Sequence, residues 1–405
     1  MNDRPPIYSP PLRPEDEEDE RRHFLNIIQA LKCYRSYSYA RVDKTEYYLN
    51  TLNERHQNML AKYRNHIGAV RYCIDENFKV IQKMLRDSDE VEKLFCQYPT
   101  GPAVHQEDAH AQKVRYQDME NPVVEPFKLL KVQSTLKQFA RDWSAEGEPE
   151  RSQSYKPIID AIESFFDPEK MELNEVKVLV PGAGLGRLAY ELACRGYFCE
   201  GNEFSYFMLI ASNFVLNQCT IENQFTLYPW VHQYVNNLRK CDQVAPIKFP
   251  DVCPLKSPPK GEIMITAGDF LQVYEIPNSY DCVATCFFID CANNIVEFIE
   301  TIYKILVPGG IWVNLGPLLY HFSDMQSENS IEPTHEDLMT IIDAVGFETI
   351  KSETGVRTKY AQNPRSMLKS EYESLFWVCR KPSIITTMPP TDNDQNGISG
   401  DMKIE

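Results

Sequence analysis

The chain has 405 residues, of which 43% are hydrophobic, and its 58 acidic against 42 basic residues give a formal net charge of −16. This length accommodates two or three domains, or one large domain with an attachment, and the apolar content is ample for a packed core. The acidic balance argues against a general nucleic-acid or anionic-membrane binder, although it leaves a local basic patch open.

The first segment of the chain is expected to be disordered. Residues 1–15 are rich in proline and acidic side chains, a composition that buries too little apolar surface to fold. They contain no apolar stretch of the kind that a secretory signal needs, and nowhere do ~18 consecutive apolar residues occur to span a membrane. We therefore expect neither a secreted protein nor a membrane protein.

The next part of the chain has the pattern of long helices. From about Glu17 to Val91 there is almost no proline or glycine, and apolar residues recur at helical spacing. We predict two or three long helices here and assign residues 16–120 to a helical N-terminal region. The segment "STLKQFARDWS" (134–144) then resumes the pattern as an amphipathic helix.

From Glu175 onward, strand-like and helix-like segments alternate. Apolar runs such as "VKVLV" and "YDCVATCFF" are separated by amphipathic stretches such as "NIVEFIETIYKIL", and "YESLFWVCRK" ends the series near a hairpin partner, "FETIKSET". This alternation predicts a doubly wound α/β sheet with an antiparallel strand at the end. In the helix-like segment "THEDLMTIIDAVGF" we predict Thr334 as the N-cap. An irregular insert interrupts the alternation at 219–261, and a polar, flexible tail follows at 382–405.

A glycine-rich loop joins the first of these strands to its helix. In "VLVPGAGLGRLAYEL" the glycines are Gly182, Gly184 and Gly186, at the position where a Rossmann-like crossover receives its ligand. The spacing is GxGxG rather than GxGxxG, and no GK[ST] follows, which argues against a dinucleotide or a triphosphate. A turn that merely closes the strand–helix joint is an equal alternative at this point.

Acidic residues end the next two strands. Glu203, 21 residues after Gly182, can accept hydrogen bonds from both hydroxyls of a ribose. Asp269, followed by Phe270, suits an adenine. The carboxylate can accept a hydrogen bond from the exocyclic amine while the adenine ring packs on an apolar face. Each signal alone is weak, because strand-ending acids are often solvated turn residues.

The 12 cysteines are scattered without any CxxC pair. In a chain of this size without a signal peptide, this usage indicates reduced thiols, and we expect a protein of the cytoplasm and nucleus. The ligand spacings that zinc needs are missing, so we expect no metal.

Several segments together resemble the carnosine N-methyltransferase family, which belongs to the class I S-adenosylmethionine-dependent methyltransferases. The resemblance covers about 130–381 and implies a Rossmann-like, seven-stranded methyltransferase sheet, here assigned to 121–381, with a helical N-terminal region. It also implies S-adenosylmethionine as cofactor. The segments that carry it are "STLKQFARDWS", "VLVPGAGLGRLAYELACRGYFCEGNEFSYFMLIASNFVLN", "LYPWVHQ", "FPDV", "TAGDF", "ATCFFID" and "PGGIWVNLGPLLYHF".

One position departs from the general methyltransferase pattern. The common loop has an acid two residues before its first glycine, where it holds the amine of the cofactor's methionine, and here that residue is Val180. The family implies that Gln138 and Arg141 hold the methionine end instead, Arg141 by gripping the carboxylate. Cys286 is implied to lie beside the cofactor without acting as a nucleophile. The expected cofactor-binding residues are Gln138, Arg141, Gly182, Gly184, Glu203, Asp269, Phe270 and Cys286.

The family implies methyl transfer to the π nitrogen of the histidine imidazole in carnosine, giving anserine, or in related di- and tripeptides. Asp290 could accept the imidazole N–H and stabilise the cation that forms, and it could also cap the following helix. His321 is implied to orient the substrate, and Tyr372 to face it. Ser370 stands where a family tyrosine is expected, which leaves open which peptide is held.

Other readings remain open. A protein histidine or nitrogen methyltransferase would use the acidic surface to attract basic peptides, whereas a dipeptide pocket should be closed by the insert 219–261 as a lid. An inactive cofactor-binding scaffold is a different class, and a dehydrogenase is disfavoured because its pyrophosphate motif is missing. The N-terminal helices could pack on the sheet or pair two subunits, which leaves a homodimer open.

Overall fold

The structure, a computed structural model, describes residues 14–86, 125–167, 169 and 171–383. A helix begins at Pro14, so the expected disordered lead lies outside the described residues except for its last two positions. The end of the predicted N-terminal region and all but two residues of the predicted tail also lie outside them.

The N-terminal region is helical, as predicted. Asn53 caps the third of the four helices within residues 14–86 by accepting a hydrogen bond from the backbone N–H of His56, 3.0 Å away. The fourth helix is amphipathic, and its buried stripe packs against the rest of the protein. The helices are α1 (Pro14–Lys32), α2 (Tyr34–Thr51), α3 (Glu54–Met59) and α4 (Ala61–Met84).

A seven-stranded sheet forms the centre of the α/β region, in the order β5-β2-β1-β6-β7-β9-β8. The first five strands in that order are parallel, while β9 runs antiparallel to both of its neighbours and pairs with β8 as predicted. The strands of this sheet are β1 (Lys177–Pro181), β2 (Phe198–Glu203), β5 (Ile263–Ala267), β6 (Tyr280–Cys286), β7 (Leu306–Gly316), β8 (Glu348–Thr358) and β9 (Tyr372–Arg380).

Helices cover the sheet, and their ends follow local signals. Thr334 forms the predicted N-cap as part of a capping box with Asp337, and Gly346 ends the same helix in the left-handed conformation at φ +107°. The helices are α5 (Pro126–Trp143), α6 (Glu148–Phe165), α7 (Arg187–Cys194), α8 (Tyr206–Gln218), α9 (Lys240–Gln243), α10 (Phe270–Val273), α11 (Ile295–Ile305) and α12 (His335–Val345).

The insert 219–261 is more ordered than its sequence indicates. It contains a small antiparallel sheet, β3 (Phe225–Leu227) with β4 (Ile247–Phe249), in addition to α9. Its apolar side chains share one core with α1, α2, α4, α5 and α8, and Phe249 packs on Phe139 of α5 with ring centroids 4.6 Å apart. The prediction of an irregular segment was wrong, because short strands without alternation do not stand out in a proline-rich sequence.

A buried polar network joins the N-terminal helices to this insert. Asn77 of α4 is 0% exposed and donates through Nδ2 to the hydroxyl of Tyr34 and to the carbonyl of Tyr228, at 3.0 and 3.1 Å. Its Oδ1 accepts from the Tyr228 backbone N–H at 2.8 Å. The Tyr34 hydroxyl also bonds Nε2 of His232 at 2.8 Å, and burial lowers the pKa of His232 to about 3, so this ring is neutral.

We expect Asn77→Ala to lower the free energy of unfolding by roughly 2–4 kcal/mol, because it leaves the Tyr228 N–H without its acceptor and two buried oxygens, the Tyr228 carbonyl and the Tyr34 hydroxyl, without their donor. Urea unfolding of the purified protein measures this change. Asn58→Ala, at an exposed position of α3, is the matched control and should stay within about 0.5 kcal/mol of the wild type. Equal effects of the two substitutions would contradict the role of the network.

Candidate active site and cofactor pocket

The sheet has its topological switch point between β1 and β6. In open α/β sheets of this kind, ligands bind outside the carboxyl ends of the strands at that point. Among the described residues, the glycine loop follows β1, Glu203 ends β2, Asp269 follows β5 and Asp290 follows β6. The fold therefore brings the residues singled out in the sequence to one edge of the sheet.

The glycine loop adopts backbone conformations that favour glycine. Gly182, Gly184 and Gly186 have φ values of +65°, +56° and +78°, and Gly186 is the residue before α7. A Cβ on Gly182 would lie 2.5 Å from Cδ2 of Phe288, whereas a Cβ on Gly184 would meet nothing closer than 3.9 Å. The first glycine is thus required by packing, whereas a side chain at the second would make only an ordinary contact, with Oδ2 of Asp142.

Glu203 is tied to this loop. Its Oε2 accepts from the backbone N–H of Gly184 at 2.8 Å, and its Oε1 accepts from the N–H groups of Phe204 and Ser205 at 2.9 and 2.8 Å. Burial raises the pKa of Glu203, although these three backbone hydrogen bonds oppose the shift. The carboxylate therefore lies against the loop in the position predicted for a ribose-binding acid.

Asp269 and Phe270 are placed less simply. Asp269 caps α10 by accepting a hydrogen bond from the N–H of Leu271 at 2.8 Å. Phe270 is 4% exposed and packs edge-on against Phe288 and Phe298. The ring of Phe270 is thus part of the core rather than an open apolar face for adenine, because the aromatic cluster behind the loop covers it.

Arg141 lies buried near the end of α5, beneath aromatic rings. Its guanidinium carbon is 4.7 Å from the ring centroids of both Tyr155 and Tyr360. Its Nη1 donates to Oδ1 of Asp142 at 2.8 Å and also to the hydroxyl of Tyr155. Its Nε is buried without a hydrogen-bond partner. A buried donor of this kind is costly unless a ligand supplies the acceptor.

Gln138 lies one turn earlier on α5. Its Nε2 donates to the hydroxyl of Tyr360 at 2.6 Å. Tyr360 is 40% exposed as a whole, but its hydroxyl end points inward, and burial raises its pKa to about 12.

Cys286 also lies near Arg141. Burial raises the pKa of Cys286 to about 11, although the positive charge of Arg141 opposes this shift. The thiol is therefore protonated and unsuited to nucleophilic attack.

Asp290 and His321 form the second part of the site. Asp290 is 2% exposed, and its Oδ2 accepts from the backbone N–H of Leu319 at 2.8 Å. The backbone N–H of His321 donates to the carbonyl of Asp290 at 3.1 Å, which fixes the two residues beside each other. Burial raises the pKa of Asp290, while the Leu319 bond and the charge of His321 oppose this shift.

Cys291 completes a cluster with these two residues. One ligand-type atom from each of Asp290, Cys291 and His321 lies within 4.8 Å of the others, and Sγ of Cys291 is 4.0 Å from Nε2 of His321. Tetrahedral zinc with its usual bond lengths would hold a sulfur and a nitrogen ligand about 3.6 Å apart. The cluster as placed is wider than that, and the absence of a metal stays a prediction.

Tyr372 reaches this region through Phe287. The two ring centroids lie 6.0 Å apart, and Phe287 also contacts Tyr360 at 4.9 Å. Phe287 has a φ of +52°, which is uncommon for a bulky residue. Residues with such backbone conformations cluster at functional sites. Phe287 lies three residues before Asp290 in the chain, and its neighbour Tyr360 packs over Arg141. These aromatic rings therefore connect the surroundings of Arg141 to those of Asp290.

Sequence reasoning missed four residues of this site: Asp142, Tyr155, Phe287 and Tyr360. Asp142 is contained in the quoted segment "STLKQFARDWS", and its position beside Arg141 was the available signal. Tyr155 and Tyr360 come from α6 and from the segment after β8. No local pattern could indicate that these distant segments meet.

The sheet order, the glycine loop after β1 and the acids after β2 and β5 define a class I S-adenosylmethionine-dependent methyltransferase fold. The carnosine N-methyltransferase family model matches residues 118–383. The chain belongs to the carnosine N-methyltransferase family. Among the described residues, no helix is both long and apolar enough to cross a bilayer.

Two relatives illustrate the family relationship. The chain is 60% identical over 379 residues to carnosine N-methyltransferase unmet of Drosophila melanogaster, covering 91% of this chain and 82% of the relative. It is 44% identical to the carnosine N-methyltransferase of Mus musculus, covering 92% and 90%. A solved structure of phosphoethanolamine N-methyltransferase 2 from Haemonchus contortus aligns over 71% of this chain and 62% of its own length, at 16% identity and a TM-score of 0.37.

Proposed function

We propose that this protein transfers the methyl group of S-adenosylmethionine to the π nitrogen of the histidine imidazole in carnosine, giving anserine, and acts likewise on related histidine-containing di- and tripeptides. The observation that carries the proposal is 60% identity to a protein named carnosine N-methyltransferase over 91% of this chain. The arrangement of Asp290 and His321 beside the glycine loop supports it chemically.

The residues present fit the cofactor. The glycine loop, which is uncrowded at Gly184, the carboxylate of Glu203 and the unpartnered Nε of Arg141 suit a group with a ribose and a carboxylate. Arg141 and Gln138 would hold the methionyl carboxylate, and Glu203 the ribose hydroxyls. The cofactor would supply a methyl group on an already activated sulfonium.

Asp290 is suited to select the tautomer of the substrate. Its Oδ2 is held by Leu319, which leaves Oδ1 to accept the N–H of an imidazole. The lone pair then lies on the other ring nitrogen, which is the one that attacks. As the ring becomes cationic, the carboxylate stabilises the developing charge and can take up the N–H proton afterwards. His321 and Tyr372 would position the rest of the peptide.

The test is incubation of the purified protein with S-adenosylmethionine and carnosine, with the new methyl group located by NMR. A methyl group on the π nitrogen supports the proposal. A product on the τ nitrogen, or no product while the cofactor still binds, would contradict it. Histidine-containing proteins, tested in parallel, decide whether the chain is instead a protein histidine methyltransferase, and binding without any acceptor supports a scaffold.

The raised pKa of Glu203 predicts a pH dependence of cofactor binding. A carboxyl group with a raised pKa takes up its proton at a higher pH than an ordinary glutamate, and the protonated group accepts ribose hydroxyls less well. We expect the affinity for 5′-deoxy-5′-methylthioadenosine, measured by calorimetry, to be constant at alkaline pH and to fall as the pH is lowered, with the fall beginning at a higher pH than an ordinary glutamate would give.

Glu203→Gln should bind more weakly throughout and lose this pH dependence. Glu262→Gln, at an exposed position beside β5, is the control and should keep it. A dependence that survives in Glu203→Gln would assign the titration to another group.

Four further assignments complete the proposal. We propose that the protein acts in the cytoplasm and nucleus, consistent with described cysteines that are all free. The domain limits predicted from the sequence, the lid role of the insert 219–261 and a homodimer also stay proposals.

A further inference from the structure

The methionine end of the cofactor has two charges, and the residues named so far supply an opposite charge for only one of them. Arg141 and Gln138 present N–H donors, which suit the carboxylate. An ammonium group carries three donors and needs acceptors. Val180, which stands where the general pattern has an acid, is a buried apolar side chain of β1 and supplies none.

Asp142 offers a carboxylate at the required place. It is 2% exposed and lies next to Arg141 near the end of α5. Its Oδ1 accepts from Nη1 of Arg141 and from the hydroxyl of Tyr155, both at 2.8 Å. Its Oδ2 lies 3.9 Å from where a Cβ on Gly184 would be, so it faces the glycine loop.

One oxygen of Asp142 is thus anchored and the other is available. No side-chain or backbone donor of the described residues bonds Oδ2, and this atom is not among the fully buried atoms that lack a partner. It therefore borders accessible space in front of the loop. Its neighbour Arg141 has its Nε in the complementary situation, a donor without an acceptor.

The adjacent pair places a positive and a negative group side by side, 2.8 Å apart. The methionine end of the cofactor carries an ammonium and a carboxylate on one carbon, so the carboxylate can pair with Arg141 and the ammonium with Asp142. In a site with little water, such pairs of opposite charges contribute much more binding free energy than they would at the surface.

We propose that Asp142 binds the methionyl ammonium of the cofactor and so takes over the function of the acid that Val180 replaces. This inference rests on the proposed function of the site. Asp142 is then a cofactor-binding residue in its own right, and its contact with Arg141 keeps the two charged groups in register.

A structural role is the competing explanation. In that explanation Asp142 only orients Arg141 through Oδ1, and its removal would weaken the binding of the carboxylate and leave the binding of the ammonium unaffected. Three ligands with a neutral sulfur separate these explanations: S-adenosylhomocysteine, its decarboxylated form with a terminal amine, and 5′-deoxy-5′-propylthioadenosine, which has neither charge.

The experiment measures the dissociation constants of these ligands by calorimetry for the wild type and for Asp142→Asn. We expect the variant to bind S-adenosylhomocysteine and the amine ligand roughly 10- to 100-fold more weakly, the range for a hydrogen bond to a charged group, and the propyl ligand unchanged. Asp160→Asn, the same change at an exposed position of α6, is the matched control and should retain the preference for the amine ligand over the propyl ligand.

Each other outcome overturns the proposal. A loss confined to S-adenosylhomocysteine means that Asp142 acts only through Arg141, and an equal loss for all three ligands means that it only maintains the fold. The wild type alone gives an independent check, because equal affinity for the amine and propyl ligands refutes the proposal even if Asp142→Asn does not fold. If none of the three ligands binds the wild type, the proposed function itself fails.

Discussion

Asp290→Ala should reduce kcat/KM for carnosine by roughly a factor of 100 to 10,000 and leave the affinity for S-adenosylmethionine nearly unchanged. The alanine removes the acceptor that selects the imidazole tautomer and the charge that stabilises the cation. It does not touch the Arg141 pocket or the hydrogen bonds of Glu203. Steady-state kinetics and calorimetric titration of the cofactor measure the two quantities separately.

Two further variants sharpen this test. Asp290→Asn keeps an oxygen that can accept the Leu319 N–H but loses the charge, so it should retain the fold and still lose most of the turnover. Asp324→Ala removes an exposed acid from the segment after His321 and should keep normal kinetics. Normal turnover in Asp290→Ala would remove Asp290 from the mechanism.

Gly182→Ala should destabilise the protein by roughly 2–5 kcal/mol, the second large effect that we expect. Part of this cost is the positive φ, which an alanine adopts at about 1–2 kcal/mol. The rest is overlap of the new Cβ with Phe288, whose ring stacks on Phe298 with centroids 5.1 Å apart and an interplanar angle of 18°. Because that ring is held on several sides, it can yield only by disturbing the core, at about 1–3 kcal/mol.

Gly184→Ala is the matched control for this prediction. Its φ of +56° is similar to the +65° of Gly182, but its added Cβ meets no atom within 3.9 Å. The difference between the two variants in the free energy of urea unfolding therefore isolates the steric overlap. Equal destabilisation would show that backbone strain alone explains the glycine at position 182.

Sequence reasoning predicted the parts of this protein that depend on local chemistry. The glycine loop, the acid at Glu203 and the cap at Thr334 each have a short signal whose physical cause lies within a few residues. The alternation of apolar segments predicted the doubly wound sheet for the same reason. Asp290 was placed after β6 because strand ends of a parallel sheet meet at one edge.

The remainder depends on contacts between distant segments. Tyr155 lies 14 residues after Arg141 along the chain, Tyr360 lies beyond β8, and no periodicity relates either of them to Arg141. Phe270 follows a strand-ending acid, as an adenine neighbour would, but burial by Phe288 and Phe298 decides its role. Such outcomes follow from tertiary packing, which local patterns do not contain.

The helix α5 has two functions that cannot be separated. One face carries Gln138 and Arg141, while Leu136, Phe139 and Trp143 belong to the same apolar core as Ile28 of α1 and Ile74 of α4. A ligand that binds only the folded protein stabilises whatever must be folded to receive it. Saturation with cofactor should therefore slow amide hydrogen exchange in α1 and α4 as well as in α5, and the N-terminal helices would then report occupancy of the cofactor site.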